Sequence, residues 1–219
     1  MTRLTALLLA GIATVGFSTA TYAADLIIEE PVYTPGVVDV GGNWEGVYLG
    51  AFIGGASGTF DDSTDGDYFP ADESIGLSGW LVGVNAGANF YITDGIVGGI
   101  VGDIAWSDVS GEWDLNEDYT YSIDWQGSLR GKLGFDAGAF MPYLTGGLAF
   151  ANGTFDVPGD SESNTHLGWT VGAGVEIAAT EDLSIDVLYR YSNFGEKEYF
   201  GYDMDLDQHA VTAGLNWKF

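Results

Sequence analysis

His166 and His209 are the only imidazoles in the 219-residue chain, and imidazole is the side chain best suited to general acid–base work or to axial ligation of haem. Hydrolysis or acyl transfer through either one requires a neighbouring nucleophile and an orienting acid. Ser161, Ser163 and several acids share their segments, but segments this acidic supply such neighbours by chance. Haem capture would use His166 or His209 as axial ligand, with nearby aromatics as a packing wall. A third chemistry lies in Asp61-Asp-Ser-Thr-Asp-Gly-Asp67 and the Asp72 that follows. Asp61, Ser63, Asp65, Asp67 and Asp72 approach the alternate-oxygen spacing of a calcium loop, with Gly66 at the sixth position. Ser63 at the third position and Asp72 in place of Glu depart from that pattern, and no flanking helices are expected. The alternative is a solvated acidic loop; weak, nonspecific divalent-ion bridging between acidic loops and anionic lipopolysaccharide is the metal chemistry retained. No catalytic residue is assigned, and no cofactor is expected.

Basic residues are scarce enough for their positions to carry information: 6 Lys and Arg stand against 32 Asp and Glu, for a net charge of −26. Such a balance excludes nucleic acid as a partner, because phosphate binding needs a basic face. It equally disfavours a basic patch for anionic membranes. The absence of cysteine excludes disulfide stapling and thiolate metal sites.

The elements that must position these groups are strands. Successive strand residues face opposite sides, and the final segment Val211 to Phe219 alternates cleanly. Val211, Ala213, Leu215, Trp217 and Phe219 share one side; Thr212, Gly214, Asn216 and Lys218 share the other. An apolar, aromatic outside around a polar inside is the inversion expected of a barrel in lipid. Eight such segments are predicted: 44–56, 77–91, 96–106, 119–135, 139–151, 168–178, 183–191 and 209–219. Tight turns at 93–95, 136–138 and 180–182 alternate with long acidic loops at 57–76, 107–118, 152–167 and 192–208. These loops hold 19 of the 32 acids. The fold class is therefore an all-β, eight-stranded, antiparallel up-and-down transmembrane barrel, with 43–219 as its domain.

The first 23 residues have another character. Arg3 followed by the apolar stretch Leu4 to Phe17 and the small-residue site Thr21-Tyr-Ala23 reads as a signal peptide. Residues 24–42, with Pro31 and Pro35, read as a periplasmic lead-in. No later run is long and apolar enough for a membrane-spanning helix.

Strand parity sorts the remaining side chains. Trp80, Trp106, Trp125, Trp169 and Tyr191 face outward near the loop ends, and Phe90, Phe135, Trp217 and Phe219 outward near the turn ends. Together they form two aromatic girdles. Inward glycines, among them Gly50, Gly54, Gly83, Gly87, Gly172 and Gly174, make room for inward Tyr48, Phe52 and Tyr143. Asp103, Arg130, Lys132, Glu176, Asp186, Arg190 and Lys218 all fall on the inward parity. Isolated charges there would be prohibitive, so a paired network bridging the strands is expected. A barrel of about eight strands leaves room for side chains alone, which favours a plug over an ion pathway.

Six segments in order, Trp44-Glu-Gly-Val-Tyr-Leu-Gly50, Gly83-Val-Asn-Ala-Gly-Ala-Asn89, Leu129-Arg-Gly-Lys-Leu-Gly134, Pro142-Tyr-Leu-Thr-Gly-Gly-Leu148, Gly168-Trp-Thr-Val-Gly-Ala-Gly-Val-Glu176 and Gly214-Leu-Asn-Trp-Lys-Phe219, resemble the small porin-family surface barrels of alphaproteobacterial outer membranes, relatives of the OmpA-type transmembrane domain. The resemblance covers nearly all of the mature chain. It implies export as a precursor, an outer-membrane location and a terminal aromatic read by the barrel-assembly machinery. It supplies no enzyme chemistry, and no cell-wall-binding domain is expected after Phe219. Val101 and Leu188 stand where relatives carry an acid, and Thr212 where a base is common, so a thinner interior network is expected. Some relatives are described as haemin-binding, which keeps haem among the alternatives.

The sequence thus points to a non-enzymatic outer-membrane barrel with a structural or surface role. Its expected partners are outer-membrane lipid, lipopolysaccharide and the assembly machinery, with both termini periplasmic and the long loops extracellular. Rival readings are a narrow channel for ions or small solutes, and a surface protein for adhesion or haem capture.

Overall fold

A computed structural model of the chain describes residues 42–62, 75–114, 118–157, 160–199 and 202–219. The signal peptide and residues 24–41 of the expected lead-in lie outside the described residues. Eight strands follow one another: β1 (Gly46–Asp62), β2 (Ile75–Thr93), β3 (Ile96–Asp114), β4 (Asp118–Phe135), β5 (Phe140–Val157), β6 (Asp160–Ala178), β7 (Leu183–Tyr199) and β8 (Tyr202–Lys218). Each pairs antiparallel with its sequence neighbours, and β1 closes the ring on β8. Closure leaves no edge strand, so the wall's backbone groups can pair within lipid.

The tight turns follow from local chemistry. Gly95 and Gly138 take φ of 82° and 81°, a left-handed conformation costly for any residue with a Cβ. Asp136 Oδ1 accepts from Gly138 N at 2.9 Å, and Thr180 Oγ1 accepts from Leu183 N at 3.0 Å. The start of β1 and the end of the chain meet at this same end, where Phe219 N donates to Val47 O.

The opposite end corrects the sequence reading. The expected long loops are mostly barrel wall: β3 continues to Asp114, β5 to Val157 and β7 to Tyr199, while β6 begins at Asp160 and β8 at Tyr202. Strands of 17 to 19 residues rise about 40 Å at a tilt near 45°, well beyond an apolar band of about 25 Å. The outward face reports the same limit. It is apolar up to Trp80, Trp106, Trp125, Phe150, Leu167, Tyr191 and Val211, then turns to Ser78, Asp108, Asp124, Asn152, Thr165, Asn193 and Asp207. Alternating apolarity stops at that boundary, although strand pairing continues beyond it.

A register shift between Ile123 and Trp125 adds a second departure. Such a bulge changes which face later residues take. Gln126, Ser128, Arg130 and Lys132 point inward below it, whereas Tyr121 and Ile123 point inward above it and Asp124 stands outside. An uninterrupted alternation would have put Tyr121 on the outer face.

Candidate functional site

The interior is layered. At the turn end Trp44, Val97 and Met141 pack with Tyr91 and Ala178. At the other end a larger apolar cluster contains Leu81, Tyr121, Ile123, Phe194 and Leu206, with Phe52 against it. Charged side chains lie between. The sequence reading of a polar inside therefore holds best for the middle of the barrel: the inner face of its far half is dominated by the apolar cluster, with Gln126, His166 and Gln208 buried among it.

Asp103 on β3 anchors the charged layer. Arg130 Nη2 approaches its Oδ2 at 2.7 Å and Arg190 Nη1 its Oδ1 at 3.1 Å. Ser128 Oγ donates to the same Oδ2 and accepts from Arg130 Nε at 2.8 Å. Glu176 on β6 binds Lys132 Nζ at 2.5 Å, Ser184 Oγ at 2.5 Å and Asn216 Nδ2 at 3.1 Å. Asp186 accepts from Tyr143 Oη at 2.7 Å, and Lys132 Nζ lies 4.3 Å from the centroid of that tyrosine ring. Three acids and three bases thus balance in one hydrogen-bonded layer, the arrangement that makes buried charge tolerable.

Glycine shapes that layer. Gly87 pairs across strands with Tyr48, Gly83 with Phe52 and Gly174 with Tyr143. A Cβ at each position would meet the partner's ring, so the missing side chain is the space the aromatic occupies.

Lys218 is a correction. It has inward parity, but its Nζ donates to Asn43 O at the mouth, and Asn216 supplies the β8 contact to Glu176 instead. Parity specifies a face and leaves height open; Lys218 is two residues too close to the chain end. Val101, Leu188 and Thr212 line the interior as buried residues without charge, so among the described residues the layer holds six acidic and basic side chains.

The structure separates the two histidines. His166 is fully buried inside the barrel, where its Nε2 is 3.2 Å from Tyr121 Oη. His209 is on the outside, with its Nδ1 2.7 Å from Tyr189 Oη and its ring 5.0 Å from that of Tyr191. Ser161 and Ser163 are exposed on the face of β6 opposite to His166. Of the acidic segment, 63–74 lies outside the described residues. Among the described residues, no group of three or more His, Cys, Asp or Glu is placed to hold a metal ion.

Outside, Trp80, Trp106, Trp169, Phe90, Phe135, Trp217 and Phe219 are exposed. Trp125 stands opposite Trp106 and is half-buried by an edge-on contact with Phe150 at 5.8 Å, and Tyr191 by one with Trp169 at 5.5 Å. Between the two bands lie Leu129, Leu133, Leu144, Leu148 and Val171, all exposed. A closed sheet that exposes this much apolar surface and buries its ions defines an integral membrane β-barrel.

Comparison with known proteins names the class more narrowly. The family model described as Outer membrane protein beta-barrel domain matches residues 9–219. The 25 kDa outer-membrane immunogenic protein of Brucella abortus biovar 1 (strain 9-941) is 34% identical, over 100% of both chains. The 22 kDa outer membrane protein of Rhizobium leguminosarum bv. viciae is 33% identical, over 81% of this chain and 79% of that one. The crystal structure of Neisserial surface protein A shares the fold, with a TM-score of 0.51 at 19% identity over 79% of this chain and 97% of that one. The chain belongs to the outer-membrane β-barrel family, and it is an integral protein of the outer membrane.

Proposed function

We propose that this protein is a sealed, non-enzymatic wall element of the outer membrane that reinforces the envelope and presents an acidic rim to the outside. One observation carries the reading: the ion-paired layer around Asp103 and Glu176 lies between two apolar layers. A continuous water path through such a core would have to cross Leu81, Phe194 and Leu206 on one side and Trp44 and Met141 on the other. Short turns with both chain ends belong in the periplasm, and the longer wall outside, as is usual for such barrels. Lipid covers the belt, divalent cations link the acidic rim to lipopolysaccharide, and the assembly machinery reads the strand ending at Phe219. The separation of His166 from Ser161, Ser163 and His209 supports the non-enzymatic part, since the serine–histidine pairing weighed from the sequence does not form.

Planar-bilayer recording of pure protein tests this function. The sealed core predicts a silent membrane. Stable conductance steps of a single size would establish the channel reading in its place.

A further inference from the structure

At the upper edge of the aromatic belt, one sector of the outer wall carries two cross-strand rows of groups that can pack against or hydrogen-bond a ligand. The lower row runs Trp106, Trp125, Asn152, Thr165 across β3 to β6, each residue the register partner of the next. The row above it runs Ser110, Ser122, Thr154, Ser163 in the same way, so four consecutive strands offer four hydroxyls. At about 4.8 Å between strands each row is roughly 15 Å long.

These groups are only loosely engaged with one another. Asn152 Nδ2 reaches Thr165 Oγ1 at 3.5 Å, Thr154 Oγ1 reaches Ser163 Oγ at 3.3 Å, and Ser163 Oγ reaches Asn152 Oδ1 at 3.5 Å. Bonds of that length are weak, which leaves donors and acceptors available to a ligand. Two carboxylates lie between the rows: Asp124, bulged out of β4, accepts from Thr154 Oγ1 at 3.2 Å, and Asp108 on β3, between Trp106 and Ser110, accepts from Trp80 Nε1 at 3.1 Å.

We propose that this sector binds the saccharide of an outer-leaflet glycolipid. Tryptophan edges and faces pack against the apolar face of a sugar, while a carboxamide, two carboxylates and a row of hydroxyls match its hydroxyl groups. Absence of Lys and Arg from the patch selects sugar hydroxyls over phosphate as the recognised chemistry. The patch is continuous with the lipid-facing belt, where the cross-strand pair Gly131 and Gly146 lowers the wall between Leu129–Leu148 and Leu133–Leu144. A headgroup held at the patch therefore keeps its acyl chains on the belt. The site rests on the orientation proposed above, which puts this rim in the outer leaflet.

The test compares purified protein with a variant combining Ser122→Ala, Asn152→Leu, Thr154→Val and Ser163→Ala, by native mass spectrometry with purified lipopolysaccharide or phosphatidylglycerol. Gel migration before and after boiling checks that the variant still folds as a barrel. The parent protein is expected to retain lipopolysaccharide about tenfold better than the variant, the effect of losing one or two net hydrogen bonds, with phosphatidylglycerol unchanged. Equal retention of lipopolysaccharide by both proteins, or equal retention of the two lipids by the parent, overturns the site and leaves ordinary boundary lipid. Dimer signals that vanish in the variant would overturn it in favour of a second copy. Labelling of a Ser163→Cys protein on intact cells with a membrane-impermeant maleimide tests orientation separately: no labelling refutes the orientation, while the lipid comparison still decides the chemistry.

Discussion

Arg190 on β7 reaches across the lumen to Asp103 on β3, placing Nη1 3.1 Å from Oδ1. In a ring of eight strands β3 and β7 stand opposite one another, so this contact ties the barrel across its diameter. Asp103 is also held by Arg130 and Ser128, so each of its oxygens has a donor.

Removing one partner should be far worse than removing the whole cluster. Arg190→Met is expected to destabilise the folded barrel by about 3–5 kcal/mol, because it strips Asp103 of one buried counter-charge. The triple variant Arg190→Met, Arg130→Met and Asp103→Leu, which removes the acid together with both of its arginines, should recover much of that loss. Reversible urea unfolding in lipid vesicles measures both; equal losses in the single and triple variants would contradict the cross-lumen tie.

Gly174 is expected to tolerate no side chain. A Cβ there would lie 2.5 Å from Tyr143 Cζ and 2.7 Å from Val187 O, which would displace the tyrosine that donates to Asp186. Gly174→Ala should cost about 1–3 kcal/mol by overpacking. Gly131 faces lipid with its nearest atom 3.8 Å away, so Gly131→Ala should be almost neutral in the same unfolding assay.

The belt's upper edge predicts a gradient. Leu148→Arg, on the exposed apolar face, should cost about 2–4 kcal/mol, whereas Thr165→Arg above the edge should cost about 0–1. Comparable costs at both sites would mean that the apolar band ends elsewhere.

Gln126 and Gln208 are each 1% exposed on the inner face, with both polar atoms of each carboxamide unpaired. Buried groups without partners lower stability, so Gln126→Met should raise it by about 1 kcal/mol or more. A loss in thermal or urea stability would show that the carboxamide is partnered inside the wall.

The number of strands, their order and the outward aromatic bands follow from period-two alternation, because lipid punishes every polar residue on the outer face. Above the belt that penalty disappears. Residues such as Asp108, Thr154 and Asp207 then alternate with nothing apolar outside, so paired wall such as 107–114 and 202–208 reads as loop. Tyr121 and Ile123 were hidden by a different cause, the bulge at Asp124, which shifts phase without any glycine or proline to mark it. The inward charges were legible as a set because a lipid-facing Arg or Lys would be so costly, yet parity carries no height. That is why Lys218 joins Asn43 at the mouth and Asn216 takes the place beside Glu176.

The most direct test uses the chain's lack of cysteine to place one spin label at a time from residue 120 to 135 of β4, in lipid vesicles. Oxygen accessibility should be high at 125, 129, 131, 133 and 135 and low at 126, 128, 130 and 132, with the alternation changing phase at 124 so that 121 and 123 are sheltered. Lipid access at 128, 130 and 132, or an unbroken alternation through 124, would contradict a wall that turns its apolar side to the membrane and its ions to the axis.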